Sequence, residues 1–201
     1  MKVIFSFCVP VLVFGLFFAP LPSAFAAPVD ISGTVDWAFG NDDTNTPNNN
    51  TLNINSGGSV INSAAGAYIT GNVNAANNIA NVSGGSVTYG VFGGWVNGEG
   101  SAVNNRVNIS SGSAEGILGG RSEGGGAVTG NSVEWTGGAI TGNIWGGGTD
   151  GNASGNSVVI DGSVNHAGWI MGAWGGVTAS GNSVTLKNGT VANIEGGEWQ
   201  N

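Results

Sequence analysis

The chain of 201 residues has very little cysteine, histidine or positive charge, and each shortage excludes something. Its one cysteine, Cys8, lies in an apolar leader, so disulfides cannot hold the rest of the chain together. Lys and Arg total four against twelve acids. A nucleic-acid partner would need clustered cations to neutralise phosphate, and the sequence has none. His166 is the single histidine, so zinc would find too few ligands. Charged residues are only 8% of the chain, while Val, Ile and Trp recur at regular places. That composition belongs to an ordered β structure, because disordered chains are rich in charge and poor in β-branched and aromatic residues. Glycine, at 39 residues, and asparagine interrupt the chain too often to leave a periodic helical stretch.

The first 26 residues read as an export signal. Lys2 gives a positive start, an apolar run extends from Val3 to about Pro20, and Ala24-Phe25-Ala26 supplies the small residues that a signal peptidase reads. Cleavage is expected before Ala27. A retained membrane anchor fits less well, since the run is near the lower limit for spanning a bilayer and contains Pro10. Cys8 lies too early to be a lipid-attachment residue. The mature chain would keep Arg106, Arg121 and Lys187 as its cations and would have no transmembrane segment.

What is present in quantity is a repeat. Asn182-Ser183-Val184-Thr185-Leu186, Asn156-Ser157-Val158-Val159-Ile160, Asn131-Ser132-Val133-Glu134-Trp135, Asn105-Arg106-Val107-Asn108-Ile109 and Asn78-Ile79-Ala80-Asn81-Val82 open successive units of about 26 residues. A weaker sixth copy opens at Asn50. In each unit the second and fourth residues after the asparagine are apolar and the one between is variable, the alternation of a strand with one buried face. Glycines at 85, 112, 138, 162 and 189 are placed to turn the chain, and a Gly-Gly pair follows a second short strand.

One such unit cannot bury its own apolar side, but a stack of them can. The expected fold is all-β: a parallel β-helix, or β-solenoid, of about six coils, with a right-handed winding favoured. Propeller blades need roughly 40 residues or more and are excluded by the period. Stacking would turn Asn78, Asn105, Asn131, Asn156 and Asn182 into a ladder of side-chain amides. Residues 27–49 fall outside the pattern and read as a cap over the first coil, with a loop from Asn41 to Asn50. The chain ends at Asn201 part-way through a unit, which reads as a truncated frame.

The residue before each Gly-Gly is Phe92, Leu118, Trp145, Trp174 and Glu195, and its predecessor is Val91, Ile117, Ile144, Ala173 and Ile194. Neighbouring strand residues face opposite ways, so the aliphatic column is expected inside. Phe92, Leu118, Trp145 and Trp174 are then expected as an exposed stripe able to bind a glycan or a surface protein of a host or neighbouring cell. No catalytic set emerges: Glu134, Asp161, Glu195 and Glu198 fall in different columns or distant coils. The segment Asn41-Asp42-Asp43-Thr44-Asn45 is oxygen-rich but reads as a solvated loop, and no aspartate recurs as a calcium β-roll requires. No cofactor is expected. Thr185 shares its column with Val159, Glu134 and Asn108, which is not the regular threonine face of an ice-binding solenoid.

The unit N-x-V-x-hydrophobic-x-x-G-x-V, followed by hydrophobic-x-G-G, resembles the repeats of bacterial autotransporter passenger regions and related adhesin-like exported proteins, over about Asn50 to Gly197. The resemblance implies secretion, adhesion, and display at the outer surface by a C-terminal outer-membrane barrel in a full-length relative. This sequence has no run of alternating barrel strands and no aromatic girdle. The expected role is therefore an exported structural or adhesin-like solenoid, at the cell surface or secreted, or periplasmic if no barrel is supplied. An inert truncated passenger fragment is the alternative, and a carbohydrate-active enzyme a remoter one.

Overall fold

The computed structural model describes residues 27–41 and 46–199. The expected signal peptide at 1–26 and the acidic pair Asp42-Asp43 lie outside the described residues. No helix occurs among the described residues, and no strand pairing is antiparallel. The chain is a β-solenoid of about six coils spaced about 26 residues apart. Val107 pairs with Ala80 below it and Val133 above it, and Val133 with Val158 in turn.

The alternation seen in the sequence is the packing. Leu52, Ile54, Ala80, Val82, Val107, Ile109, Val133, Trp135, Val158 and Ile160 are all buried in one continuous core. The opposite wall of that core is the aliphatic column Ala64, Val91, Ile117, Ile144 and Ile170. In the rung that opens at Asn182 the same positions open to solvent, with Leu186 and Ile194 exposed.

A second sheet closes each coil through Ala75–Ala76, Ala102–Val103, Val128–Thr129, Asn152–Ser154 and Thr178–Ser180. The asparagines sit where this sheet passes back into the first. Asn50, Asn78, Asn105, Asn131 and Asn156 are fully buried. Each Oδ1 from Asn78 to Asn182 accepts the backbone N–H and an Nδ2–H of the asparagine one coil earlier, at 2.8–3.0 Å. The remaining Nδ2–H donates to a carbonyl of the closing sheet: Ala75, Ala102, Val128 or Ala153. From Asn78 to Asn182 every amide oxygen that this corner buries is thereby paired, which is the condition for burying it at all.

The Gly-Gly pair follows from this corner. A Cβ on Gly93, Gly119 or Gly146 would stand 2.3–2.4 Å from the carbonyl oxygen of the equivalent glycine one coil on. A Cβ on Gly94 or Gly120 would stand 2.5–2.6 Å from the ladder amide of Asn105 or Asn131. The first glycine permits the coils to stack, and the second gives the asparagine room. Alanine replaces the second at Ala67 and Ala173, both fully buried.

Three expectations change. The segment from Val29 to Phe39 is no separate cap. It is a further parallel rung, with Val29 over Leu52, Thr34 over Ser59 and Ala38 over Ala64. The turning glycine expected at 85 is Gly84, which holds the positive φ, and Gly162 is not in that conformation. The fifth coil is also in a different register from the one expected. Ile170 and Met171 stack on Ile144 and Trp145, so Ile170, not Ala173, continues the aliphatic column.

Candidate functional site

The aliphatic column faces the core, so the residue after each member faces away from it. That outer column runs Phe39, Ala65, Phe92, Leu118, Trp145, Met171 and Glu195. A second outer column, three residues further along each strand, runs Tyr68, Trp95, Arg121, Gly148 and Trp174. Trp174 therefore belongs beside Arg121 and not above Trp145. The expected stripe of Phe92, Leu118, Trp145 and Trp174 is split over two columns.

Nor is the stripe bare. Phe92 is 5% and Leu118 9% exposed, while Trp145 and Trp174 are half-buried. The reason is the neighbouring column. Trp95 lies 4.7 Å from Phe92, ring centre to centre, and both belong to a small outer cluster with Ala65, Leu118, Phe39 and Trp145. Gly148 leaves the space into which the Trp145 ring and a Leu118 methyl settle, since a Cβ there would meet Leu118 at 3.2 Å and Trp145 at 3.5 Å. The correction is one of degree: the side chains do face outward, but they pack on one another and leave only ring faces and edges to solvent.

The face that results is larger than the expected stripe. Trp37, Phe39, Tyr68 and Trp95 line a shallow cleft of about 230 Å³ at its N-terminal end. Their rings are in mutual contact, Phe39 stacked on Tyr68 at 5.0 Å and Tyr68 edge-on to Trp95 at 4.9 Å. Trp37, 46% exposed, stands at the rim. Beyond Trp95 the character changes. Arg121 lies over the Trp95 ring with its guanidinium carbon 5.9 Å from the centroid, and pairs with Glu123 at 3.1 Å. The same carboxylate oxygen accepts the Trp95 indole N–H at 3.1 Å.

Two clefts flank this charged group. One of about 380 Å³ is lined by Leu118, Arg121, Glu123, Trp145, Asp150 and Trp174, among others. The other, of about 320 Å³, includes Tyr89, Glu115, Arg121, Asn143 and Trp145 in its walls. Trp145 lines both, and its buried Nε1–H has no partner. From Trp37 to Trp174 the face crosses five coil spacings, roughly 24 Å at about 4.8 Å each.

Sequence reasoning missed Trp37, Tyr68, Trp95 and Arg121. The spacing Phe92-x-x-Trp95, matched by Ala65-x-x-Tyr68 and Leu118-x-x-Arg121, was the available signal. It also missed a second, outer asparagine ladder. Asn53, Asn81 and Asn108 each pass an amide N–H to the oxygen of the residue one rung earlier, ending on Asp30, at 2.7–2.8 Å. Arg106 closes it by donating to Asn108 Oδ1 at 2.6 Å and also pairs with Glu134.

The other candidate residues remain apart. Asp161 is paired with Lys187 at 2.9 Å, and the hydrogen bond from that ammonium, with its charge, holds the carboxyl below its ordinary range. Among the described residues no group of three or more His, Cys, Asp or Glu side chains gathers as a metal site would require. His166 is buried, with Nδ1 3.1 Å from the Ile140 carbonyl oxygen and its ring edge-on to Trp135.

No family model matches this chain, and comparison with the curated proteins and with the solved structures finds no match. Its own residues carry the functional argument.

Proposed function

We propose that this chain is an exported, adhesin-like β-solenoid that engages surface glycans through its lateral aromatic face. The observation that carries the reading is the alternation along that face of half-buried rings with Arg121, Glu123 and Asp150. A ring face offers the apolar C–H side of a pyranose a flat surface, and the charged groups between the rings match its hydroxyls. One coil spacing is also close to the length of one sugar in an extended chain. A polysaccharide lying along the stack would therefore meet one rung at each sugar, with a ring at some rungs and a charged group at others. The leader sequence supports export, and the likeness of the repeats to passenger regions supports display or secretion.

The test is a glycan array probed with the exported protein, followed by Trp95→Ala and Trp145→Ala. Each substitution should weaken binding about tenfold or more, in the range of a ring that anchors an interface, while circular dichroism shows the solenoid intact. Binding to a surface protein but to no glycan, or binding untouched by both substitutions, would sink the proposal.

A further inference from the structure

The buried asparagine ladder has a vacancy at one end. Every amide oxygen from Asn78 to Asn182 receives two N–H donors from the asparagine one coil earlier. Asn50 donates as the others do, from its backbone N–H to Asn78 Oδ1 and from Nδ2 to Asn78 Oδ1 and to the Thr46 carbonyl. Its own Oδ1 is buried and accepts nothing. Asn50 is fully buried, and a buried acceptor left in this state calls for an explanation.

The register shows which residue stands where the missing donor should be. Val29 pairs with Leu52, so two residues earlier Ala27 corresponds to Asn50. Alanine has no side-chain amide to offer, and Pro28 has no N–H. In the uncleaved chain the position has one donor to offer, the Ala27 peptide N–H, and Asn50 Oδ1 does not receive it. The sequence, however, breaks before this residue in the expected processing event, after Ala24-Phe25-Ala26.

We infer that cleavage before Ala27 generates the missing member of the ladder: the new α-ammonium of Ala27 binds Asn50 Oδ1. A signal peptidase adds water across the Ala26–Ala27 peptide bond. The leader departs with the carboxylate of Ala26, and the freed amine of Ala27 takes the proton. The ammonium carries three N–H donors at a position where every other coil uses a backbone N–H and a side-chain N–H together. Removal of the leader and completion of the first rung are then one event, and the solenoid locks its N-terminal coil only after export. The inference rests on the export reading of residues 1–26 and is independent of what the aromatic face binds.

The full chain is expressed in a secreting bacterium and the exported product sequenced from its N-terminus. The expected product begins at Ala27. Its α-amine should react with an acetylating reagent about tenfold more slowly than that of a synthetic peptide of residues 27–31, since a hydrogen bond from a charged donor is worth that factor or more. After forced acetylation, hydrogen exchange at the Asn50 amide should accelerate by a similar factor, and Asn50→Ala should abolish the difference in α-amine reactivity. If Asn50→Ala does not fold, the acetylation rate of the unsubstituted protein still decides. A product starting at another residue, or an α-amine as reactive as the peptide's, overturns the inference and leaves export standing. A chain retained with its leader intact overturns both.

Discussion

Val91, Ile117, Ile144 and Ile170 stack as one column, and Phe92, Leu118, Trp145 and Met171, one residue along the chain, stack as the next. The first column is all aliphatic and fully buried. The second changes chemistry at every coil and ends at Glu195. Both have the same parallel hydrogen bonds and the same neighbours above and below, so backbone geometry is not the difference. Inside, each side chain must fit the opposite wall of a continuous core, and volume and polarity are fixed by close packing. Outside, each needs only to rest on its neighbours in the column. A solenoid therefore varies its outer columns cheaply, and this is where a binding surface is free to differ from coil to coil.

The comparison extends to the asparagine corner, where the expected effect of substitution is largest. Asn131→Leu would strand the backbone N–H and an Nδ2–H of Asn105 and the carbonyl of Ala102, and would take from the amide oxygen of Asn156 one of its two donors, the backbone N–H of residue 131 remaining. At about 1–3 kcal/mol for each buried group left unpaired, the total loss should exceed about 3 kcal/mol. Urea denaturation would measure it, and a loss under 1 kcal/mol would mean that the ladder is replaceable by packing.

The adjacent pair Ile144 and Trp145 tests the two columns directly. Ile144→Ala should cost about 2–5 kcal/mol, the range for an aliphatic side chain cut back in a core. Trp145→Ala, although it removes a larger side chain, should cost less, because that ring is only half-buried and lies outside the main core. The same denaturation experiment ranks them. A reversed order would place the true core on the outer face.

The smallest effect belongs to the exposed pair Asp161–Lys187. Its hydrogen bond and charge lower the Asp161 carboxyl and raise the Lys187 ammonium from their ordinary values. The sign differs at the two ends of the pH scale. The contribution of Asp161 is present above the ordinary carboxylate value of about 3.9 and is lost as pH falls through its lowered folded value. That of Lys187 is present below about 10.4 and is lost as pH rises through its raised folded value. The Tm difference between the unsubstituted protein and Lys187→Met should be slight, flat between those limits, and shrink outside them.

Much of this architecture was legible in the sequence because stacking imposes one spacing on every coil. The asparagines marked the corner, the residues two and four places on marked the inner wall, and Gly-Gly marked the contact with the next amide. Legibility failed where one marker was absent or duplicated. Residues 29–39 did not read as a rung because Ala27 occupies the ladder position. Trp174-Gly175-Gly176 imitated Trp145-Gly146-Gly147, although Gly172 and Asn182 have the same ten-residue separation as Gly146 and Asn156. The aromatic face was only half visible because its second column is made by rings three residues away, whose relation appears once the coils are stacked.

The ladder has one further consequence, for the field of the whole molecule. Its carboxamides all point the same way, each oxygen toward the N-terminal coil and each NH₂ toward the C-terminal one. Aligned amide dipoles add head to tail, as peptide dipoles do in a helix. The shorter outer row of Asn53, Asn81 and Asn108 runs the opposite way near solvent, where its field is screened, so the six buried side chains give the core an electrical polarity, negative at Asn50 and positive at Asn182. The two ends of this solenoid are therefore unlike even where their backbones are the same, and a cation is favoured at the first coil and an anion at the last.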